Sequence, residues 1–213
     1  MSSPDKPNLI ETMRMRADGV LDRLPLHLSR LEQSAAAFEI PFRRDRIEAA
    51  IAELEAEGSD RRIRLELSAA GNVEINSYPC PPTDPDKPWR LAIAATRLQS
   101  SDPMLRHKTT KRDHYIRARG EYHPAEADEV LLLNENGAVC EGTISNIFIK
   151  VPHEAALRTP ALECGLLKGV LRQELIEAGK AVEAVLKIND LRSAERLYVG
   201  NSLRGLLPAI LIE

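Results

Sequence analysis

The stretch DEVLLLNENGAVCEGTISNIF, residues 128–148, decides how the fold is read. Glu129–Leu133 reads as a buried strand, because Val130–Leu133 is an unbroken apolar run of strand-like residues. Asn136-Gly137 is a tight hairpin turn, since both residues accept positive φ at little cost. The chain then returns through Val139–Lys150, with an interruption at Gly142–Ser145. Glu141 falls where the return strand should be apolar. Two readings stand there, evenly balanced. It is a surface glutamate on an edge strand with a bulge at Gly142. Or it is a buried carboxylate facing a cation or a protonated nitrogen, because an unpaired buried charge is expensive.

Upstream, Trp89–Thr96 reads as a strand and Lys108–Ala118 as helical, with Lys108 at the loop-to-helix junction. The basic run Arg97–Arg119 is by itself best read as a solvated helix face. Residues 79–88 hold five prolines and read as a linker. It separates a small N-terminal lobe, residues 1–78, from a larger lobe, residues 89–213, which carries Lys108 and Glu141. In the small lobe, residues 1–8 read as disordered, Asn8–Arg16 as a strand, and Asp18-Gly19 as the turn of a short hairpin returning through Val20–Leu24. Leu28, Leu31, Ala35 and Phe38 form one helix face, ended by Pro41. Asp45 reads as the N-cap of a helix over Arg46–Glu57, with Gly58 as its C-cap. Arg62–Leu67 and Val73–Asn76 read as strands around a Gly71-Asn72 turn.

Downstream, CGLLKGVLRQEL, residues 164–175, opens a helix placed over Gly165–Ala178. Gly169 precedes the helical run, so the Val170 and Leu171 amides could point at an anion. An ordinary loop-to-helix junction is the commoner outcome of such a sequence. VGNSLRGLLP, residues 199–208, offers small polar residues after a strand, as a second set of phosphate or substrate contacts or as a plain turn. Arg196–Val199 and Ala209–Ile212 complete the strands. Hairpins and sheets with a few helices, without regular βαβ alternation, make the class α+β.

Composition narrows the task. A net charge of −3 gives no electrostatic case for nucleic acid or an anionic membrane. Aromatics at 4% do not make a stacking platform for single strands. No apolar run reaches the roughly 20 residues of a membrane span. The N-terminus has no signal-like apolar core. Cys80, Cys140 and Cys164 are widely spaced and odd in number, a poor disulfide framework and no metal pattern. A soluble cytoplasmic protein is the simplest expectation.

Six segments in order resemble the class IV aminotransferase and aminodeoxychorismate lyase family, the fold-type IV pyridoxal 5′-phosphate (PLP) enzymes. LIETMR resembles the family's F-E-T-x-R strand, and HLSRLEQSA, residues 27–35, its H-L-x-R-L-x-x-S-A helix. HKTTKRDHY resembles the lysine segment of the lyase-like members, and residues 128–148 are the most specific match. LKGVLR resembles L-x-G-[IV]-x-R. AERLYVGNSLRGLLPA resembles the lyases' N-[SA]-L segment more than the aminotransferases' G-T-A. The resemblance covers about residues 8–210.

It implies a two-lobed fold like that of D-amino acid aminotransferase, N-terminally shortened. About 20–30 residues that precede the first strand in the family, with a D-R-G-x-x-x-G-D-G segment, are not in this sequence. It also implies roles. Lys108 would bond PLP and move the substrate Cα proton. Glu141 would meet the protonated pyridine nitrogen. Arg30 would clamp the phosphate, joined by the Val170 and Leu171 amides and by Asn201 or Ser202. Thr143, Ser145 and Asn146 would shape the ring face or orient Glu141, or simply satisfy strand-to-loop hydrogen bonds. Tyr115, two helical turns past Lys108, is a further candidate, although the aminotransferases place their tyrosine where this chain has Asp113. The implied activity is a PLP-dependent 4-amino-4-deoxychorismate lyase releasing pyruvate and 4-aminobenzoate, for folate synthesis. The alternatives are a class IV aminotransferase for branched-chain or other amino acids, or a PLP-binding protein with weak or no catalysis. A small-molecule substrate and a homodimer complete the expectation.

Overall fold

The computed structural model describes residues 6–80 and 83–212. The expected disorder of residues 1–8 falls partly on residues 1–5, and the linker partly on Pro81 and Pro82, outside the described residues. Asn8 departs from that expectation, because its Oδ1 accepts the Ala69 N–H at 3.1 Å. The chain divides into two units, Met1–Pro82 with His107–Lys111, and Thr83–Arg106 with Arg112–Glu213. Among the described residues no helix is long and apolar enough to cross a membrane.

Unit 1 is a three-stranded antiparallel sheet, β1 (Leu9–Met15), β2 (Arg61–Leu67) and β3 (Val73–Pro79), in that order, with helices α1 (Leu24–Ala37) and α2 (Arg44–Ala52). Strand alternation sends Leu9, Met13 and Met15 inward to meet Leu28, Leu31 and Ala35 of α1 and Ile63, Leu65 and Leu67 of β2. Each fully buried aliphatic side chain here contributes about 1.5–3 kcal/mol.

The helix ends differ from the sequence expectation. α1 stops at Ala37, with Glu39 at φ 50°, before Pro41 is reached. Arg43, not Asp45, precedes α2; Asp45 lies in its first turn, where a carboxylate suits the helix dipole. α2 ends at Ala52, and Gly58, at φ 70°, belongs to the following loop. The Asp18-Gly19 turn forms, but its return is one bridge, Met15 to Leu21, because β1 pairs along its length with β2.

The free edge of β1 also receives His107–Lys111. Ile10 N–H donates to Lys108 O at 2.9 Å, and Thr110 N–H to Asn8 O at 2.9 Å. The sequence reading put Lys108 in the larger lobe, at a helix start. Instead its segment is extended and grouped with unit 1, because its backbone groups find partners on β1 rather than in a helix.

Unit 2 is one mixed sheet in the order β6-β5-β4-β11-β10-β7-β8-β9. Its strands are β4 (Trp89–Leu98), β5 (Glu129–Asn134), β6 (Val139–Gly142), β7 (Asn146–Lys150), β8 (Leu157–Pro160), β9 (Ala181–Ala184), β10 (Arg196–Asn201) and β11 (Gly205–Leu211). Helices α3 (Asp113–Arg119), α4 (Val170–Glu177) and α5 (Ile188–Ser193) accompany it. β5 is buried on both faces: Leu131 and Leu133 join one apolar cluster, Val130 and Leu132 the other.

The β5–β6 hairpin forms as read, but the return is two strands rather than one. β6 pairs with β5, whereas β7 pairs with β10 and β8. At the break, Gly142 N–H donates to Ser145 O at 2.7 Å. The irregularity in the β5–β6 ladder lies at Cys140, since Leu132 faces Glu141 and Leu133 faces Val139. α3 and α4 are shorter than read: residues 108–112 pair or turn, and residues 165–169 form a loop.

Candidate functional site

Unit 1 contributes the polar face of α1. His27, Arg30 and Ser34 recur at helical spacing and are all buried. Glu11 occupies the inward phase of β1 and is 1% exposed. Arg30 Nε and Nη2 donate to its two oxygens at 2.9 and 2.5 Å, and His27 Nδ1 lies 2.6 Å from Oε2. Burial alone would raise the Glu11 pKa, but Arg30 and His27 hold the carboxyl at about 2. Burial pushes His27 down against the pull of Glu11, with the Arg30 and Lys108 charges adding to the push. A neutral His27 facing a carboxylate must carry its proton on Nδ1. His107 Nδ1 meets Ser34 Oγ at 3.0 Å and stacks edge-on against Phe38, so the residue before Lys108 is also fixed to α1.

Unit 2 gathers the remaining candidates. Glu141 is 4% exposed, which favours the buried-carboxylate reading. Tyr115 Oη donates to its Oε1 at 2.5 Å, Leu167 N–H to the same oxygen at 3.0 Å, and Asn146 Nδ2 to Oε2 at 3.4 Å. Burial and the Glu141 charge hold the Tyr115 pKa well above its ordinary value, so the phenol remains a donor. Asn146 Nδ2 also donates to Leu167 O at 3.2 Å. Arg112 lies over the Tyr115 ring, 4.8 Å from its centroid, and donates to Thr143 O at 2.6 Å.

Thr143 and Ser145 serve another carboxylate. Glu129, fully buried, accepts from both hydroxyls at 2.6 Å and from the Val130, Thr143 and Ile144 amides at 2.9–3.1 Å. A Cβ on Gly142 would come within 2.6 Å of the Glu129 carboxylate, so this turn fits only a glycine. Sequence reasoning missed Glu129, Glu11 and the Leu167 amide. The signal for Glu11 was present: it shares the alternation phase of Leu9, Met13 and Met15.

Val170 and Leu171 open α4, where first-turn amides lack intrahelical acceptors. At Gly200 a Cβ would stand 2.8 Å from Leu171 Cδ2, so β10 and α4 approach closely there. The Asn201 side chain closes the following turn, accepting from Leu203 and Arg204 N–H at 3.1 and 3.0 Å and donating to Ile144 O at 3.1 Å. Ser202 is buried in the same turn. One end of the unit 2 sheet therefore combines an oriented carboxylate, a helix N-terminus and a polar turn. A planar cation and a phosphate are the groups that these donors and acceptors suit.

The family model for class IV amino-transferases matches residues 8–212. The chain belongs to the class IV aminotransferase family. Within it, the chain is 46% identical to a provisionally named amino-acid aminotransferase from Mesorhizobium loti, whose crystal structure superposes with a TM-score of 0.93 over 96% of this chain and 99% of that one. It is 32% identical to a provisionally named aminodeoxychorismate lyase from Schizosaccharomyces pombe, over 98% of this chain and 91% of the relative. It is 27% identical to an aminodeoxychorismate lyase from Bacillus subtilis, over 96% of this chain and 77% of that protein. The class IV family is one of enzymes, and the α+β class read from the sequence is the one observed.

Proposed function

We propose that this chain is a PLP-dependent lyase of the aminodeoxychorismate type. The observation that carries the coenzyme assignment is Glu141, buried and held by Tyr115, Leu167 and Asn146 at the sheet end where α4 begins. When bound, PLP supplies an electron sink for negative charge developing at the substrate Cα. Glu141 would accept a charged hydrogen bond from the ring nitrogen and so favour its protonated form. The Val170 and Leu171 amides and Asn201 or Ser202 would hold the phosphate, a role that the motif resemblance also gives Arg30. Lys108 would be the amine that holds PLP and, once released by the incoming substrate amine, would carry the Cα proton. Its backbone hydrogen bond to β1 fixes where that amine starts. Thr143, through the Glu129-held turn, keeps the chain after Glu141 in place.

The lyase reading is supported by HKTT at residues 107–110, by GNSL at residues 200–203, and by the lyase names of the S. pombe and B. subtilis relatives. The product would be 4-aminobenzoate, with pyruvate released. The M. loti relative's name favours a second reading, amino-acid amination of a keto acid. Pyruvate release from aminodeoxychorismate, measured against amino transfer to 2-oxoglutarate, separates the two. Failure of both assays in protein that retains PLP overturns both. Borohydride reduction followed by peptide mass analysis tests the lysine: the phosphopyridoxyl mass belongs on the peptide holding Lys108. Its persistence in Lys108→Ala would overturn the assignment. The same reading includes a homodimer, which a concentration-independent monomer mass in sedimentation would refute.

A further inference from the structure

We infer that Glu11 is a positioning residue for phosphate recognition, setting the plane of the Arg30 guanidinium with His27 as its brace. The inference rests on the reading of Arg30 as a phosphate ligand. No feature of the motif resemblance assigns Glu11 or His27 a role.

The geometry is that of an aiming device. Arg30 offers five N–H donors in one rigid plane. Glu11 takes Nε and Nη2 together, at 2.9 and 2.5 Å, so both the tilt and the rotation of that plane are fixed. A single contact would leave the plane free to turn about one bond. The carboxylate in turn has little freedom. It stands in the middle of β1, and His27 holds Oε2 at 2.6 Å from one helical turn before Arg30. All three groups are buried.

Two effects of Glu11 on a phosphate oppose each other. Its negative charge repels the phosphate and offsets the charge of Arg30. Its two hydrogen bonds remove the rotational freedom that Arg30 would otherwise lose on binding. A rotamer-rich side chain loses conformational freedom on immobilisation, and Glu11 makes Arg30 lose it before the phosphate arrives. A misaligned fork also forfeits a charged hydrogen bond, worth about tenfold or more in affinity. Without Glu11 the guanidinium loses its two-point hold in this buried cluster and turns toward its other acceptors. Positioning therefore dominates, and removal of Glu11 weakens phosphate binding rather than strengthening it.

The test compares PLP with pyridoxal, which lacks the phosphate, by equilibrium dialysis against the full chain. Arg30→Met should reduce the preference for PLP over pyridoxal at least about tenfold, the equivalent of one charged hydrogen bond. If it leaves the preference unchanged, the phosphate role of Arg30 itself is wrong. Given that loss, Glu11→Gln should reduce the same preference about tenfold while pyridoxal affinity stays near wild type. A merely structural role would weaken both ligands alike. Glu11→Asp keeps the charge with a shorter reach and guards against misfolding of the glutamine variant. It should lose part of the preference. Unchanged or tighter PLP preference in the folded Glu11 variants, beside a defective Arg30→Met, would overturn the inference and leave the coenzyme reading intact.

Discussion

Glu129 and Glu141 are both buried, yet their surroundings ask different things of them. Glu129 is saturated by its own neighbourhood, with two hydroxyls and three amides of residues 130–145 on its oxygens. It acts as the internal template of a turn that has no regular secondary structure. Glu141 is held from segments far from its own turn, among others by the Tyr115 phenol, the Leu167 amide and the Asn146 carboxamide. Glu129 therefore holds its own turn together, whereas Glu141 is aimed by several separate segments at the sheet end where α4 begins. Glu129→Gln turns an acceptor into a donor facing Ile144 N–H and Ser145 Oγ, so one bond is lost and one amide is left unmatched. Unfolding free energy should fall by about 2–3 kcal/mol, read from urea denaturation. A change below about 0.5 kcal/mol would mean that the turn holds itself without the carboxylate.

At the scale of elements, the start of α4 depends on space rather than on backbone freedom. Gly169 sits at φ −64° and ψ 142°, a conformation open to any residue. Yet a Cβ there would fall 1.8 Å from Asn146 Oδ1. Gly169→Ala must push Asn146 aside, and with it the bonds to Glu141 and Leu167. We expect a loss of about 1–3 kcal/mol, and a crystal structure of the variant should show Asn146 rotated away from Glu141. An undisturbed Asn146 with full stability would contradict this packing.

The same element shows what the sequence made legible. The helix extends over Gly165–Ala178 by sequence but begins only after Gly169, and nothing local reveals that Asn146 occupies the space beside that glycine. Alternation and turn residues located β1, β2, β3, β5 and the β5–β6 hairpin, because those signals are local. The separation of β7 from β6 was not readable, since pairing with β10 is a long-range outcome. Residues 108–112 looked helical by propensity, and β1 overrode that with hydrogen bonds that no window of sequence contains. Glu141 was singled out by its misplaced charge. The spacing of Tyr115 from Lys108 does not match the aminotransferase pattern, and spacing is blind to its contact with Glu141.

For the whole molecule, the buried and half-buried titratable groups give acid stability a definite sign. His27, His107 and His114 are all pushed down, first by burial. A histidine with a lowered folded pKa binds fewer protons than the unfolded chain, so its contribution is present above the unfolded value and shrinks as pH falls below it. Glu11 acts in the same direction at lower pH. Burial opposes its charge, yet Arg30 and His27 bring it from 4.5 to about 2. Its contribution is complete above the unfolded value and is lost as pH falls from there through the folded one. The shift corresponds to something on the order of 3 kcal/mol. Stability should therefore decline in two stages, first through the histidine range and then more steeply below about pH 4.5. Glu11→Gln isolates the second stage. It should be several kcal/mol less stable near neutrality, where its Arg30 has lost a buried partner. The gap from wild type should narrow toward about pH 2 as wild-type Glu11 takes up its proton. Urea denaturation of both proteins across that range measures the gap. If it stays constant while pH falls, Glu11 is not the depressed carboxyl that its contacts with Arg30 and His27 require.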